Sequence, residues 1–249
     1  MSEPILPTPC PILFRDEHLV VVDKPAGVLS HPNPGKPATK VPAAFLGQYD
    51  PKERAFNGPN GKIWLIHRLD QDTSGVLLAA LDAETAGKLR HAFDIGLVKK
   101  HYLTVVSGRP RPKGAWKDAL VMARGAGLVR ASVVASAPLN AELHYTNISY
   151  SNTMRMSLLR TELVTGRTHQ IRVQAASRNH PVLGDDIYGD FALNRWAKKE
   201  LGLRRLFLHA ACLEFPHPST SRPLRIEAPV PADLTDVMNK LGLHLTRLP

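Results

Sequence analysis

The sequence predicts an α+β protein built on a mixed, largely antiparallel central sheet with flanking helices and loops. Two observations lead there. Strand-like apolar runs outnumber helical patterns, and neighbouring runs lie close enough to pair as hairpins. Helices are few and scattered, so the strand–helix alternation that builds a parallel sheet is missing. There is no internal repeat at solenoid spacing, and no stretch reads as an interdomain linker.

Taken in order, residues 12–23 read as a hairpin. Ile12-Leu13-Phe14 is a short apolar strand, Arg15-Asp16-Glu17-His18 a polar turn, and residues 19–22 a β-rich run ended by Lys24-Pro25-Ala26-Gly27. Pro32, Pro34, Gly35, Pro37 and Pro42 make residues 31–42 a loop. Residues 43–49 allow one or two helical turns. Residues 63–66 and 76–81 read as buried strands on either side of the polar segment 67–75. Asp82 suits the cap of a helix running to about Ile95, with Ala86, Leu89 and Phe93 at helical spacing. Residues 102–106 form a strand. Residues 107–140, rich in Pro, Gly, Ala and Arg, carry the weakest signal. Residues 143–148 and 154–163 read as paired strands, 168–176 as a helix, and 206–215 and 224–228 as later strands. A helix over 232–241 closes the chain, with Pro231 suited to its start.

A chain of 249 residues that is 43% hydrophobic can bury a sizeable core. It has no apolar run near the roughly 18 residues of a membrane span. The first ten residues lack the basic start and apolar stretch of a secretory signal. Cys10 and Cys212 suggest neither a disulfide framework nor a zinc site, so a cytoplasmic location is expected. The net charge of +10 suits a polyanionic partner, because neutralising phosphates releases counterions. A well-solvated basic surface accounts for the same number.

Three constellations could carry chemistry. The densest is His67-Arg68-Leu69-Asp70-Gln71-Asp72-Thr73-Ser74-Gly75, a polar loop between two apolar strands, where a rigid scaffold often presents functional groups. On local chemistry alone, a turn closed by aspartate and hydroxyl hydrogen bonds is the favoured reading. The second is Thr165-Gly166-Arg167-Thr168-His169-Gln170-Ile171-Arg172. Thr168 could cap a helix starting near His169, and Arg167 and Arg172 could then hold an anion at its start. A solvated basic helix face is the alternative. The third, Lys99-Lys100-His101-Tyr102, offers phosphate contacts beside an aromatic stacking face, or simply a core tyrosine after an exposed turn. Phosphate-binding glycine loops, dinucleotide motifs, His-Glu-x-x-His helices and Gly-x-Ser-x-Gly elbows are absent, and the eleven histidines show no ligand spacing.

The segment His67-Arg68-Leu69-Asp70 with Thr73-Ser74-Gly75 resembles the signature of RluA-type RNA pseudouridine synthases. Four further segments resemble that family's motifs in the expected order. They are residues 16–27, Lys100-x-Tyr102 with Gly108, residues 165–172 followed by His180-Pro181 and Gly184-Asp185, and Leu208-His209-Ala210 with Phe215-x-His217-Pro218. The resemblance spans roughly residues 11–228. It departs from the family at residues 109–140, at Leu143 where relatives often have threonine, and in having no room for a small N-terminal RNA-binding module.

The resemblance implies one catalytic domain over residues 1–249, with Asp70 on a loop in an RNA cleft across the sheet, and monomeric action. It implies isomerisation of uridine in structured RNA without metal or organic cofactor: the N1–C1′ bond breaks, the uracil turns, and C5 joins C1′. Asp70 is the implied nucleophile, attacking at C1′ or at C6 or acting through a glycal. Arg172 is its implied ion-pair partner, since an arginine stays charged and offers a fork. Tyr102 packs on the uracil and Ile171 packs against it. Arg68 takes the space left when the uridine is extruded. Arg167, Lys24, Lys99 and Lys100 are backbone contacts, and His67, Thr73 and Asp72 shape the loop. Ribosomal RNA is the favoured substrate, with transfer RNA next; neither DNA nor a membrane is an expected partner. Two competing readings are a non-catalytic RNA-binding protein and an Asp-dependent N-glycoside hydrolase, which would need a second carboxylate roughly 5–9 Å away.

Overall fold

In the computed structural model, residues 8–32, 41–59, 61–125 and 128–245 are described, without the side chains of 124–129. Most of the proline-rich loop, residues 33–40, and the first seven residues lie outside that set. The fold class is α+β, as expected, and the chain divides into two compact units.

The first unit is Met1–Val98 with Cys212–Ala228. It opens with the expected antiparallel hairpin of β1 (Ile12–Arg15) and β2 (Leu19–Lys24). Asp16 closes the turn, accepting from the backbone N–H of His18 at 2.8 Å and of Leu19 at 2.9 Å. Next come β3 (Gln48–Asp50), β4 (Ala55–Gly58), β5 (Gly61–Leu65) and β6 (Ser74–Ala80), paired antiparallel in that order, and β2 pairs along β6 from Leu19–Ala80 to Lys24–Gly75. Every residue of β6 is buried, as the uninterrupted apolar run requires. Helix α1 (Ala83–Asp94) starts where expected, with Asp82 accepting from Thr85 N–H at 2.7 Å.

Residues 43–49 form no helix, which corrects the expectation. Ala43 bridges Leu29 in parallel, and Gly47 takes φ +126°, a conformation closed to most side chains. A Cβ on Gly47 would stand 2.5 Å from the Asn57 carbonyl oxygen, so only glycine lets this segment approach β4.

The second unit is Lys99–Ala211 with Pro229–Pro249. Its strands β7 (Lys99–Ser107), β8 (Lys113–Asp118), β11 (Ala141–Ser151) and β12 (Met156–Leu163) pair antiparallel in the order β7-β12-β11-β8. Between β8 and β11, β9 (Leu120–Gly125) and β10 (Leu128–Val133) form a separate hairpin. The stretch with the weakest sequence signal therefore holds three strands. Helices α2 (Gln170–Ala176) and α3 (Phe191–Trp196) follow, and α3 continues into a π-helical turn, Ala197–Leu201.

Strand β13 (Leu208–Pro216) pairs antiparallel with β14 (Pro223–Glu227), and α4 (Ala232–Leu241) closes the chain over the expected range. Leu213, Phe215 and Ile226 join Leu19, Val21, Leu78, Ala86 and Leu89 in the core of the first unit. Leu158, Leu183, Phe207, Leu234, Val237 and Met238 form the core of the second. No helix among the described residues is long and apolar enough to cross a membrane.

Candidate active site

In the first unit, the loop between β5 and β6 carries Arg68 and Asp70. Buried polar groups hold it on both sides of Asp70. Ser30 Oγ donates to the Leu69 carbonyl at 2.8 Å and accepts from Leu69 N–H at 2.9 Å. The Gln71 carbonyl accepts from Gly27 N–H at 2.9 Å and from Lys24 Nζ at 3.0 Å. Thr73 N–H closes the turn onto the Asp70 carbonyl at 3.1 Å. His67 Nε2 accepts from Leu78 N–H at 3.0 Å, which puts the proton of the neutral ring on Nδ1, and the ring stacks on Phe93 at 5.2 Å between centroids. With Leu69 and Gln71 pinned, Asp70 stands between them partly exposed and Arg68 is exposed. His67 thus bonds to β6, and Thr73 bonds through its main chain within the loop.

Lys24 is not positioned as a phosphate contact, and that expectation is corrected. Its side chain is fully buried, and its ammonium donates to the carbonyls of Pro25 at 2.9 Å, Val28 at 2.7 Å and Gln71 at 3.0 Å. Three acceptors match the three donors of an ammonium, which is what makes burying the charge tolerable. Lys24 thus ties the 25–28 segment to the Asp70 loop. Lys24→Met removes those bonds, and an equilibrium urea denaturation should show a loss of about 2 kcal/mol or more. A midpoint equal to wild type would mean the ammonium is dispensable.

In the second unit, Lys100 and Tyr102 lie two residues apart on β7 and so share one face. Tyr102 is buried opposite Thr161 of β12. Burial lowers the affinity of the Lys100 ammonium for its proton. Arg167 is exposed, its Nε donating to the Asn140 carbonyl at 2.9 Å.

Helix α2 carries Ile171 and Arg172, both buried. Its seven residues are too few to be stable alone, and side-chain bonds hold it. The expected Thr168 cap is not formed. His169 occupies the cap position at φ 56° without a side-chain cap bond, and Gln170 Oε1 accepts instead from Arg167 N–H at 3.0 Å and Thr165 Oγ1 at 2.8 Å. Gln170 Nε2 donates to Gln174 Oε1 at 3.2 Å, and Gln174 Nε2 to Asp118 Oδ2 at 2.6 Å.

Arg172 makes a forked pair with Asp185, Nε to Oδ2 and Nη2 to Oδ1, each 2.7 Å. Asp185 Oδ1 also accepts from the N–H groups of Ile187 at 2.9 Å and Tyr188 at 3.0 Å. Burial pushes the Asp185 carboxyl up, but the Arg172 bonds and charge and those two N–H groups outweigh it and hold it below the usual carboxylate value. Asn194 clamps the turn, accepting from Gly184 N–H and donating to the Asp185 carbonyl, both at 2.9 Å. The Tyr188 ring lies under the Arg172 guanidinium at 5.2 Å, and its hydroxyl accepts from Ala131 N–H at 2.8 Å and lies 2.9 Å from His169 Nδ1.

Asp185 and Tyr188 are the residues whose roles sequence reasoning missed. Both stand near Gly184-Asp185 of the arginine motif. Spacing alone does not tell that a carboxylate thirteen residues on folds back onto the helix, and Gly184 is the available signal. A Cβ there would stand 2.1 Å from the Arg205 carbonyl oxygen, at φ +78°.

Comparison with known proteins places this architecture. Residues 18–177 match the family described as RNA pseudouridylate synthase, which makes the protein an isomerase by class. The chain belongs to the RNA pseudouridine synthase family, and the resemblance to RluA-type enzymes holds. It is 33% identical to the tRNA pseudouridine synthase C of Haemophilus ducreyi over 94% of this chain and 97% of that one. It is 35% identical to the ribosomal large subunit pseudouridine synthase D of Xanthomonas campestris over 94% and 70%. Among solved structures it resembles human RNA pseudouridylate synthase domain containing 4, with TM-score 0.71, 25% identity, and coverage of 95% of this chain and 94% of that one.

Proposed function

We propose that the chain, acting as one cytoplasmic, monomeric catalytic domain over residues 1–249, converts specific uridines in structured RNA to pseudouridine with Asp70 as nucleophile. The observation that carries this reading is the loop in which Leu69 and Gln71 are both fixed by buried groups, so that Asp70 is presented on a rigid support. A nucleophile must be held to within a fraction of an ångström, and such pinning achieves it. Attack at C1′ releases uracil at N1; attack at C6 holds the ring while N1–C1′ breaks. Either way C5 bonds to C1′, C5 gives up its proton, and N1 gains one.

Arg172 supplies the fixed positive charge, its orientation set by the Asp185 fork. Tyr102 offers the stacking face for uracil and a hydroxyl that can move a proton, and Ile171 packs beside the base. Arg68, Arg167 and Lys100 contact the RNA. Large-subunit ribosomal RNA is the first substrate proposed. Transfer RNA is the second, favoured by the near-complete match in length to a transfer-RNA enzyme.

The test is pseudouridine formation by the purified chain on unmodified ribosomal and transfer RNA, mapped by carbodiimide primer extension. No product on either pool would overturn the assignment. Tyr102→Phe should bind RNA within about twofold of wild type, while Tyr102→Ala loses about tenfold in affinity, one base stack. Equal losses for the two would remove the stacking role.

A further inference from the structure

A second aromatic feature, with no role above, stands in the first unit. The His31 imidazole stacks nearly parallel on the Tyr49 ring, with centroids 4.8 Å apart and planes 12° from parallel. Tyr49 lies on β3, which among the described residues pairs with β4, and packs at 5.0 Å on the buried ring of Phe56, its cross-strand partner. Phe56 in turn contacts buried Phe45 at 5.7 Å. The rings thus form a column from the core to a partly exposed imidazole, and its outer members are fixed before any ligand arrives.

Arginine charges reach this column, opposed at Tyr49 by the Asp50 carboxylate. The charges of Arg54, Arg68 and Arg90 act on Tyr49, and those of Arg68 and Arg54 on His31. Arg54 and Arg90 are tethered by backbone carbonyls. Arg54 Nη2 donates to Ile66 at 2.8 Å, and Arg90 Nη2 to Glu53 at 2.9 Å and Leu65 at 3.3 Å. Burial foremost, and then the arginine charges, hold His31 below the ordinary histidine value despite its bond to the Pro32 carbonyl. The ring is therefore neutral at neutral pH. Its Nδ1 proton goes to that carbonyl at 2.8 Å, leaving Nε2 as an acceptor.

A planar π face, one acceptor and tethered guanidinium groups match the base, the donor groups and the phosphates of an unpaired nucleotide. We infer that the His31–Tyr49 stack with Arg54 and Arg68 is a subsite for an unpaired nucleotide neighbouring the target uridine in the substrate RNA. The inference rests on the reading of the chain as an enzyme acting on RNA. Arg68, whose charge acts on both rings, sits two residues before Asp70, so the nucleotide inferred here neighbours the reacting one along the strand. Stacking tolerates any base, so the subsite adds affinity and registers the strand without demanding a sequence.

The test compares wild type, His31→Ala and His31→Phe in the full chain. Affinities are measured by filter binding to transcripts of large-subunit ribosomal RNA and of transfer RNA, together with kcat and KM for pseudouridine formation. His31→Ala should raise Kd and KM by about 5- to 150-fold, the span of one base–aromatic stack, with kcat within about twofold. His31→Phe, which keeps a ring face, should recover affinity to within about threefold of wild type. Unchanged affinity in His31→Ala, or a loss in His31→Phe as large as in His31→Ala with thermal melting intact, would overturn the subsite. If wild type forms product and His31→Ala keeps its KM, the subsite falls and the enzyme stands. If wild type retains RNA without product, the enzyme reading falls and the affinities still decide the subsite. Failure of wild type to bind either RNA overturns both.

Discussion

Asp70→Asn forms no pseudouridine, a loss of at least about 1000-fold, while RNA affinity stays within about threefold of wild type. The amide keeps the size and shape of the carboxylate but is no nucleophile. The loop should survive the change, because its anchors are backbone groups on either side: Leu69 on Ser30, Gln71 on Lys24 and Gly27, and the Asp70 carbonyl on Thr73 N–H. Carbodiimide primer extension on ribosomal and transfer RNA reads the chemistry, and filter binding reads the affinity. Turnover by Asp70→Asn near the wild-type rate would take Asp70 out of the reaction. Loss of affinity parallel to loss of product would make it a binding residue.

Asp185→Ala is the other large effect, and it falls on stability as well as activity. Asp185 is fully buried at its side chain and Arg172 nearly so. Removing one partner of such a pair leaves an uncompensated buried charge, at a cost of about 3–5 kcal/mol. The Ile187 and Tyr188 N–H groups lose their acceptor too, so the turn between α2 and α3 loosens. The urea midpoint should drop accordingly, and product formation should fall with it even where the chain remains folded, because Arg172 loses its orientation. Arg172→Lys should reduce turnover more than stability, since a point charge cannot reproduce the fork.

The same pair has a pH signature. Asp185 is held below the usual carboxylate value in the folded chain, so its contribution is fully present above the unfolded value near about 3.9. It is lost as pH falls below that, through the lower folded value. Urea midpoints measured from pH 7 down to pH 3 should show this acid-dependent component in wild type and lack it in Asp185→Asn. An identical acid profile in the two would mean the carboxylate contributes nothing as a charged group.

Where a pattern is local, the sequence was a good guide. The 12–23 hairpin, the Asp82 cap with Ala86 and Leu89 beneath it, and the 232–241 helix all follow from periodicity and capping chemistry within a few residues. Residues 43–49 misled because their helix-compatible composition is overridden by a bridge to Leu29 and by the approach that Gly47 allows. Strands β8, β9 and β10 were hidden because they do not alternate cleanly and lie in a stretch rich in Pro, Gly, Ala and Arg. At the site, the motif positions Asp70, Tyr102 and Arg172 were named by resemblance, whereas local chemistry favoured a simple turn around Asp70. The partners that set their positions were not legible. Resemblance assigns Lys24 to the RNA backbone, and only the return of the Gln71 loop shows that it is buried. Asp185 is part of the arginine motif by resemblance, but its fork to Arg172 emerges only from the fold.

Two bonds hold the β9–β10 hairpin to the 187–188 turn: the Tyr188 hydroxyl accepts from the Ala131 main-chain N–H, and Arg130 Nη2 donates to the Ile187 carbonyl at 3.1 Å. A main-chain attachment registers shape while ignoring residue identity. Exposed hairpin residues such as Val121 and Met122 can therefore change while the hairpin keeps its station against the helix that carries Arg172. Residues 109–140 also depart most from the family pattern. The mooring leaves the outward lettering of this strip free to drift without displacing Arg172.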